Sequence, residues 1–171
     1  QLWIAFIAVI VLSFAVLGYY GREIYRNAPP IPDKVILQNG TVIFTGQDIR
    51  DGQNIWQSIG GQEVGTVWGH GSYVAPDWSA DFLHRMGLFL VARHNGLDAA
   101  WAGAFTHDDF KKLDPAEQAR LQVLVTQEMK KNRYDPLTGV LTLTEFQTEA
   151  FKALNGYYTE LFQNGNDRMG L

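Results

Sequence analysis

The sequence predicts a mainly α-helical soluble domain with one or two small β-hairpins, carried on a single N-terminal transmembrane helix. Three observations lead there. An uncharged apolar run opens the chain. Most of the remainder has its apolar residues at helical spacing rather than in strict alternation. Glycine, proline and asparagine cut that remainder into pieces of helix length. The 171 residues are 46% hydrophobic and 19% charged, ordinary values for a chain that folds. A formal charge of -4 argues against nucleic acid as a partner, which would want a basic face. The absence of cysteine removes disulfides, zinc-thiolate sites, iron-sulfur clusters and thioether-attached haem together.

Leu2 to Tyr20, "LWIAFIAVIVLSFAVLGYY", contains no charge. As a helix it is about 28 Å long, close to the thickness of a bilayer hydrocarbon core. Trp3 near one end and Tyr19 and Tyr20 at the other are placed as interfacial aromatics. No small-residue cleavage site follows the run, which sets it apart from a secretory leader. The expected organisation is a transmembrane helix over 1–20, a linker over 21–34 and a soluble domain over 35–171. Arg22, Arg26 and Lys34 follow the span, and the positive-inside rule reads them as cytoplasmic; with the other flank missing, charge alone leaves the side undecided.

"NAPPIPDK" (27–34) reads as a stiff, extended linker. "VILQNGTVIF" (35–44) sets Asn-Gly between two β-branched runs, the signal for a two-residue hairpin. Ile49, Gly52, Ile55, Trp56 and Ile59 then share one face of a helix that ends at Gly60-Gly61. A second helix, capped by Asp77 or Ser79, carries Phe82, Met86, Phe89 and Leu90 to about His94, where Asn95-Gly96 stops it. "LDAAWAGAF" (97–105) is a short helical or irregular piece. Asp114-Pro115-Ala116-Glu117 combines an N-cap, a proline at the first helical position and a carboxylate three residues after the cap. The third helix it starts has Leu121, Leu124, Val125 and Met129 on one side. "RYDPLTGVLTL" (133–143) is a turn with short extended arms. Thr144 opens a fourth helix through Phe146, Ala150, Phe151, Leu154, Tyr158 and Leu161.

The stretch richest in glycine is "SIGGQEVGTVWGHGSYVAPDWSADFLHR" (58–85), where the backbone turns tightly or approaches something closely. Gly60 and Gly65-Thr66 have the outer spacing of a phosphate-binding loop, but the lysine is missing and a helix precedes instead of a strand. His70, His84, His94 and His107 form no His-x3-His or Glu-x-x-His pattern. They read as hydrogen-bonded surface or core residues. Ser72, His70 and Asp77 offer a hydrolytic triplet on paper without a nucleophile elbow.

Gly69-His70-Gly71-Ser72-Tyr73-Val74-Ala75-Pro76 is similar to a segment of the small cytochrome c subunit of cytochrome-dependent nitric oxide reductases. There, Gly-x-Gly-x-Tyr-x-x-Pro follows the Cys-x-x-Cys-His haem motif. In that register the haem motif falls on Gly61-Gln62-Glu63-Val64-Gly65, with both cysteines and the histidine gone. Gly52 and Trp56 lie where a cytochrome c has its first helix and aromatic residue. A single span, this altered loop and the 56–85 stretch together resemble the N-terminal part of a quinol-dependent nitric oxide reductase. The resemblance covers essentially the whole chain.

It implies a haem-free, cytochrome-c-like domain on the periplasmic or extracellular side of a bacterial cell membrane, in a denitrification enzyme. The expected partner is a multi-span catalytic core holding haem b and non-haem iron, on the same polypeptide or a separate chain. The core would bind quinol and reduce nitric oxide to nitrous oxide. The segment itself would supply no catalytic residue and bind no cofactor alone. The resemblance also places a calcium ion at the interface with the core, held from this side by Gly71 through its carbonyl and by Tyr73. Calcium accepts neutral oxygens readily when other ligands supply charge.

An emptied haem pocket must be refilled, because interiors pack densely; Trp56, Trp68, Trp78, Phe82, Phe89, Trp101 and Phe105 are the side chains expected to fill it. Two alternatives stand beside the structural and docking role. One is an electron-transfer domain with a noncovalent haem, and the other a membrane-anchored sensor or ligand-binding ectodomain.

Overall fold

A computed structural model of the chain describes residues 2–67 and 76–166, which fall into two compact units divided between Ile31 and Pro32. The first holds helix α1 (Leu2–Asn27), which by length and composition is apolar enough to cross a membrane. The helix does not stop at Tyr20. Gly21 to Asn27, expected as linker, continue it. Arg26 pairs with Glu23 at 3.1 Å, and the Asn27 side chain donates to the Glu23 carbonyl at 2.9 Å. The first strong breaker is Pro29, which biases Ala28 away from helical backbone.

The second unit opens on strands β1 (Lys34–Leu37) and β2 (Val42–Thr45), paired antiparallel. The connection is a three-residue loop, not the two-residue turn that Asn-Gly suggests. Leu37 N–H donates to the Thr41 carbonyl and Gly40 N–H to the Leu37 carbonyl, both at 2.9 Å. Gly40 sits at φ +86, the left-handed position such a loop requires. Strands β3 (Tyr134–Asp135) and β4 (Val140–Leu143) form the second hairpin. The two hairpins are not separate. β1 and β4 pair in parallel, Lys34 opposite Val140 through Leu37 opposite Leu143, giving one four-stranded sheet in the order β2-β1-β4-β3.

Among the described residues the helices of this unit number six, where the sequence suggests four. α2 (Gly46–Ser58) is capped by Thr45, whose hydroxyl accepts from Asp48 N–H while the Asp48 carboxylate accepts from Thr45 N–H. A 3-10 turn follows at Gly61–Glu63. α3 (Trp78–His94) is capped by Asp77, which accepts from the backbone of Ser79 and Ala80. α4 (Ala99–Ala102) and α5 (His107–Lys111) are single turns in a stretch too short to show periodicity. α5 nevertheless has a full capping box of Thr106 and Asp109. α6 (Pro115–Lys130) takes its cap from Asp114 as expected, but Glu117 turns aside to Arg120 instead of closing a box. α7 (Glu145–Asn164) starts at a Thr144 and Gln147 box.

α3 is the central element, packed against α6 and α7. Leu90 and Val91 meet Leu121 and Val125 of α6 and Phe110 of α5. Phe89 and Ala92 meet Ala102 of α4 and Ala150 of α7. Two part-buried networks tie the ends of these helices. Arg93 donates to Glu149 at 2.7 Å, and His94 sits 2.6 Å from Glu128, which also accepts from the Thr144 hydroxyl. α2 is the weakly packed member. Of its predicted face, Trp56 and Ile49 are partly covered, while Ile55 and Ile59 stay exposed.

Candidate functional site

An open, apolar pocket of about 540 Å³ lies where α2, α3 and α7 meet the start of the glycine-rich segment. Trp56 of α2, Trp78, Phe82 and Leu83 of α3, Tyr158 and Phe162 of α7, and Val67 line it with Ser79. The sequence builds it by placing large aromatics four residues apart on two helices, so that Trp78 and Phe82, and Tyr158 and Phe162, each share a face. Trp78 stands at the centre of these rings. Its ring lies 5.1 Å from that of Phe162 and 6.3 Å from that of Tyr158, both edge-on. Trp56 meets Phe162 at 5.7 Å, and Phe82 stacks on Tyr158 at 6.4 Å. Edge-on and offset pairs at these separations are the favoured aromatic arrangements.

Two glycines admit the tryptophans. At Gly61 a β-carbon would lie 2.3 Å from Trp56 Cδ2. At Gly65 it would lie 2.1 Å from Trp78 Nε1 and 2.7 Å from the Pro76 carbonyl oxygen, and the backbone there has φ +152. Only glycine adopts that backbone without strain. Both indole N–H groups are buried with no hydrogen-bond partner among the described residues. The pocket floor is pinned by the backbone. Thr66 N–H donates to the Pro76 carbonyl at 3.0 Å and Trp78 N–H to the Thr66 carbonyl at 2.8 Å. The Ser79 hydroxyl donates to the Val67 carbonyl.

Tyr158 is the polar edge of the pocket. Its hydroxyl donates to Asp81 Oδ2 at 2.7 Å, the same oxygen that accepts from Arg85 Nε at 2.7 Å. The Arg85 guanidinium lies 3.9 Å over the Tyr157 ring. Burial first, and the bond to Asp81 second, push the Tyr158 phenol well above its ordinary value. A phenol whose folded value is raised contributes stability in full below the unfolded value of about 10, and that contribution is lost as pH rises through the folded value. Between about pH 9 and 11 the parent is therefore expected to lose urea resistance more steeply than Tyr158→Phe; parallel slopes would contradict the assignment.

The sequence-predicted positions divide into three groups. Trp56, Trp78 and Phe82 come together in the pocket. Phe89 and Phe105 belong instead to the core around Ala102 and Ala150, and Trp101 is exposed at 69% and fills nothing. Trp68, His70, Gly71, Ser72 and Tyr73 lie outside the described residues, and with them both expected calcium ligands and most of the paper triplet. Among the described residues no group of three or more acidic or histidine side chains is placed to hold a metal ion. Sequence reasoning passed over Phe162, which touches both tryptophans and Tyr158. Its spacing four residues after Tyr158 was the available signal.

A family model described as the NorB cytochrome c-like domain of nitric oxide reductase matches residues 32–171. A comparison with curated proteins gives no match. The match takes in the sheet, the six helices and the aromatic pocket alike, and so the chain belongs to the family of NorB cytochrome c-like domains of nitric oxide reductase.

Proposed function

We propose that this chain is the membrane-anchored, haem-free N-terminal part of a quinol-dependent nitric oxide reductase, serving there as a structural and docking domain. The reaction is two NO, two electrons and two protons giving N2O and water, with quinol as the donor. It belongs to a multi-span core with haem b and non-haem iron, attached to this chain or associated with it. α1 anchors the segment, and the second unit stands on the periplasmic or extracellular side.

The observation that carries the haem-free reading is the pair of glycines under the tryptophans. A c-type haem needs two cysteine sulfurs and an axial histidine, and the chain has no cysteine. In the register of the resemblance, the first cysteine and the histidine fall on Gly61 and Gly65, where a single β-carbon already overlaps Trp56 and Trp78. The residues present do not fit that cofactor. Among the described residues lining the pocket there is also no histidine or methionine to ligate a noncovalent haem. Gly71 and Tyr73 remain our proposal for this chain's share of a calcium site against the core, whose charge would come from haem propionates and a core glutamate.

The pocket itself favours a second reading, a ligand-binding ectodomain, because it is open and apolar. Isolation from detergent-solubilised membranes through a tag on this segment separates the two. The proposal expects a complex containing haem b and non-haem iron that reduces nitric oxide with quinol. It also expects alanine at each of His70, His84, His94 and His107 to retain activity within a few-fold. A chain that emerges without a metal-bearing core and binds small apolar ligands alone would establish the second reading instead.

A further inference from the structure

His84 and His107 are far apart in sequence, and no metal-binding spacing relates them. The fold brings them together. α3 carries His84 on an exposed position, and α5 presents His107 at its first residue, also exposed. Their ring centroids are 6.3 Å apart with the planes at 56°. Neither imidazole makes a hydrogen bond or ion pair among the described residues, in contrast to His94, which is committed to Glu128. His107 is further held in place by stacking on Phe110 at 6.4 Å, and Phe110 is anchored in the core.

From these observations we infer that His84 and His107 form a two-histidine site for a divalent transition metal of the zinc, nickel or copper class. Imidazole nitrogen is the preferred donor for these ions. The distances agree. A metal–nitrogen bond of about 2.1 Å puts each ring centre about 3.2 Å from the ion, so two rings on one ion are at most about 6.4 Å apart. The observed separation falls inside that limit. A tetrahedral angle brings the centres to about 5.2 Å, a closure of about 1 Å that exposed side chains reach by small rotations about χ1 and χ2. Water completes the coordination, because no third acidic or histidine side chain among the described residues is in range. The chemistry excludes calcium and magnesium, which take oxygen ligands.

The consequence is mechanical. α5 is a single turn that packs on the core through Phe110, and a shared ion adds a tie between its N-terminus and the central helix. The site is independent of nitric oxide chemistry and of the aromatic pocket, and it needs no partner chain.

The test is a calorimetric titration of the full chain in detergent with Zn2+ alone, paired with Cu2+ and its electron-spin-echo modulation from remote imidazole nitrogens. The inference expects one ion per chain, a two-imidazole Cu2+ signature and a rise in Tm on saturation. His84→Ala and His107→Ala are each expected to weaken Zn2+ binding tenfold or more and to leave a one-imidazole signature. His94→Ala and His70→Ala should leave both readouts unchanged. Because both rings are exposed, far-UV circular dichroism of the two variants should match the parent. Should either variant misfold, His84→Gln and His107→Gln serve in its place. Unchanged Zn2+ affinity in the His84 and His107 variants, or a two-imidazole signature that survives in the double variant, would overturn the site.

Discussion

Gly65→Ala is expected to destabilise the soluble unit by about 3 kcal/mol or more, from two sources that act together. Backbone at φ +152 strains any residue with a β-carbon by about 1–3 kcal/mol. The added methyl also overlaps Trp78 Nε1 at 2.1 Å and the Pro76 carbonyl at 2.7 Å, and forcing atoms into a filled site costs about 1–3 kcal/mol more. Gly156→Ala is the control. Gly156 lies in α7 with nothing within 4 Å of the added carbon, and alanine in a helix interior stabilises by about 0.5–1 kcal/mol over glycine. Urea unfolding of both variants against the parent measures the contrast. Equal midpoints for Gly65→Ala and Gly156→Ala would show that the glycine-rich segment has room to spare.

Trp78→Ala is expected to lose about 3–5 kcal/mol, the range for truncating a buried tryptophan. Trp78 is 7% exposed and is the ring that Tyr158 and Phe162 both meet. The second expectation in this background is more specific. With the indole gone, the overlap at residue 65 is reduced to the Pro76 carbonyl, and the penalty for Gly65→Ala falls to its backbone strain and that remaining contact. A double-mutant cycle should therefore show coupling of about 1–3 kcal/mol between positions 65 and 78. Strict additivity would mean that the two sites do not press on each other.

The legible parts of this fold were those written in local chemistry. Asp114 and Thr144 cap their helices where the sequence put them, Asp77 rather than Ser79 caps α3 of the two candidates offered, and Asn95-Gly96 ends α3 as expected. The apolar face of α6 turned inward at Leu121 and Val125. Non-local arrangement was not legible. The parallel pairing of β1 with β4 depends on a meeting of distant segments that no turn signal encodes, so one sheet read as two hairpins. α5 was hidden because a five-residue helix has no period, although its Thr106 and Asp109 box was there to be seen. The shared face of α2 read correctly as helical, and its partial exposure was not legible, since spacing reports which residues share a side and not whether anything packs on it.

At the pocket, the tryptophans announced themselves as candidate filling, and the structure sorted them. Trp56 and Trp78 line it, while Trp101 is exposed to solvent. What no pattern revealed is the fit of each indole against a glycine backbone. The pairing of His84 with His107 was equally invisible, because it exists only through the packing of α5 on α3.

Tryptophan and glycine, on the proposal made above, now occupy the place of a haem. The most direct measurement of that claim is a titration of haemin into the full chain in detergent, followed in the Soret region and by pyridine haemochrome after removal of unbound pigment. No stoichiometric band is expected, and none for a chain produced alongside covalent haem-attachment machinery. One haem retained per chain, with a sharp Soret maximum abolished by replacing a single histidine or methionine, would contradict it.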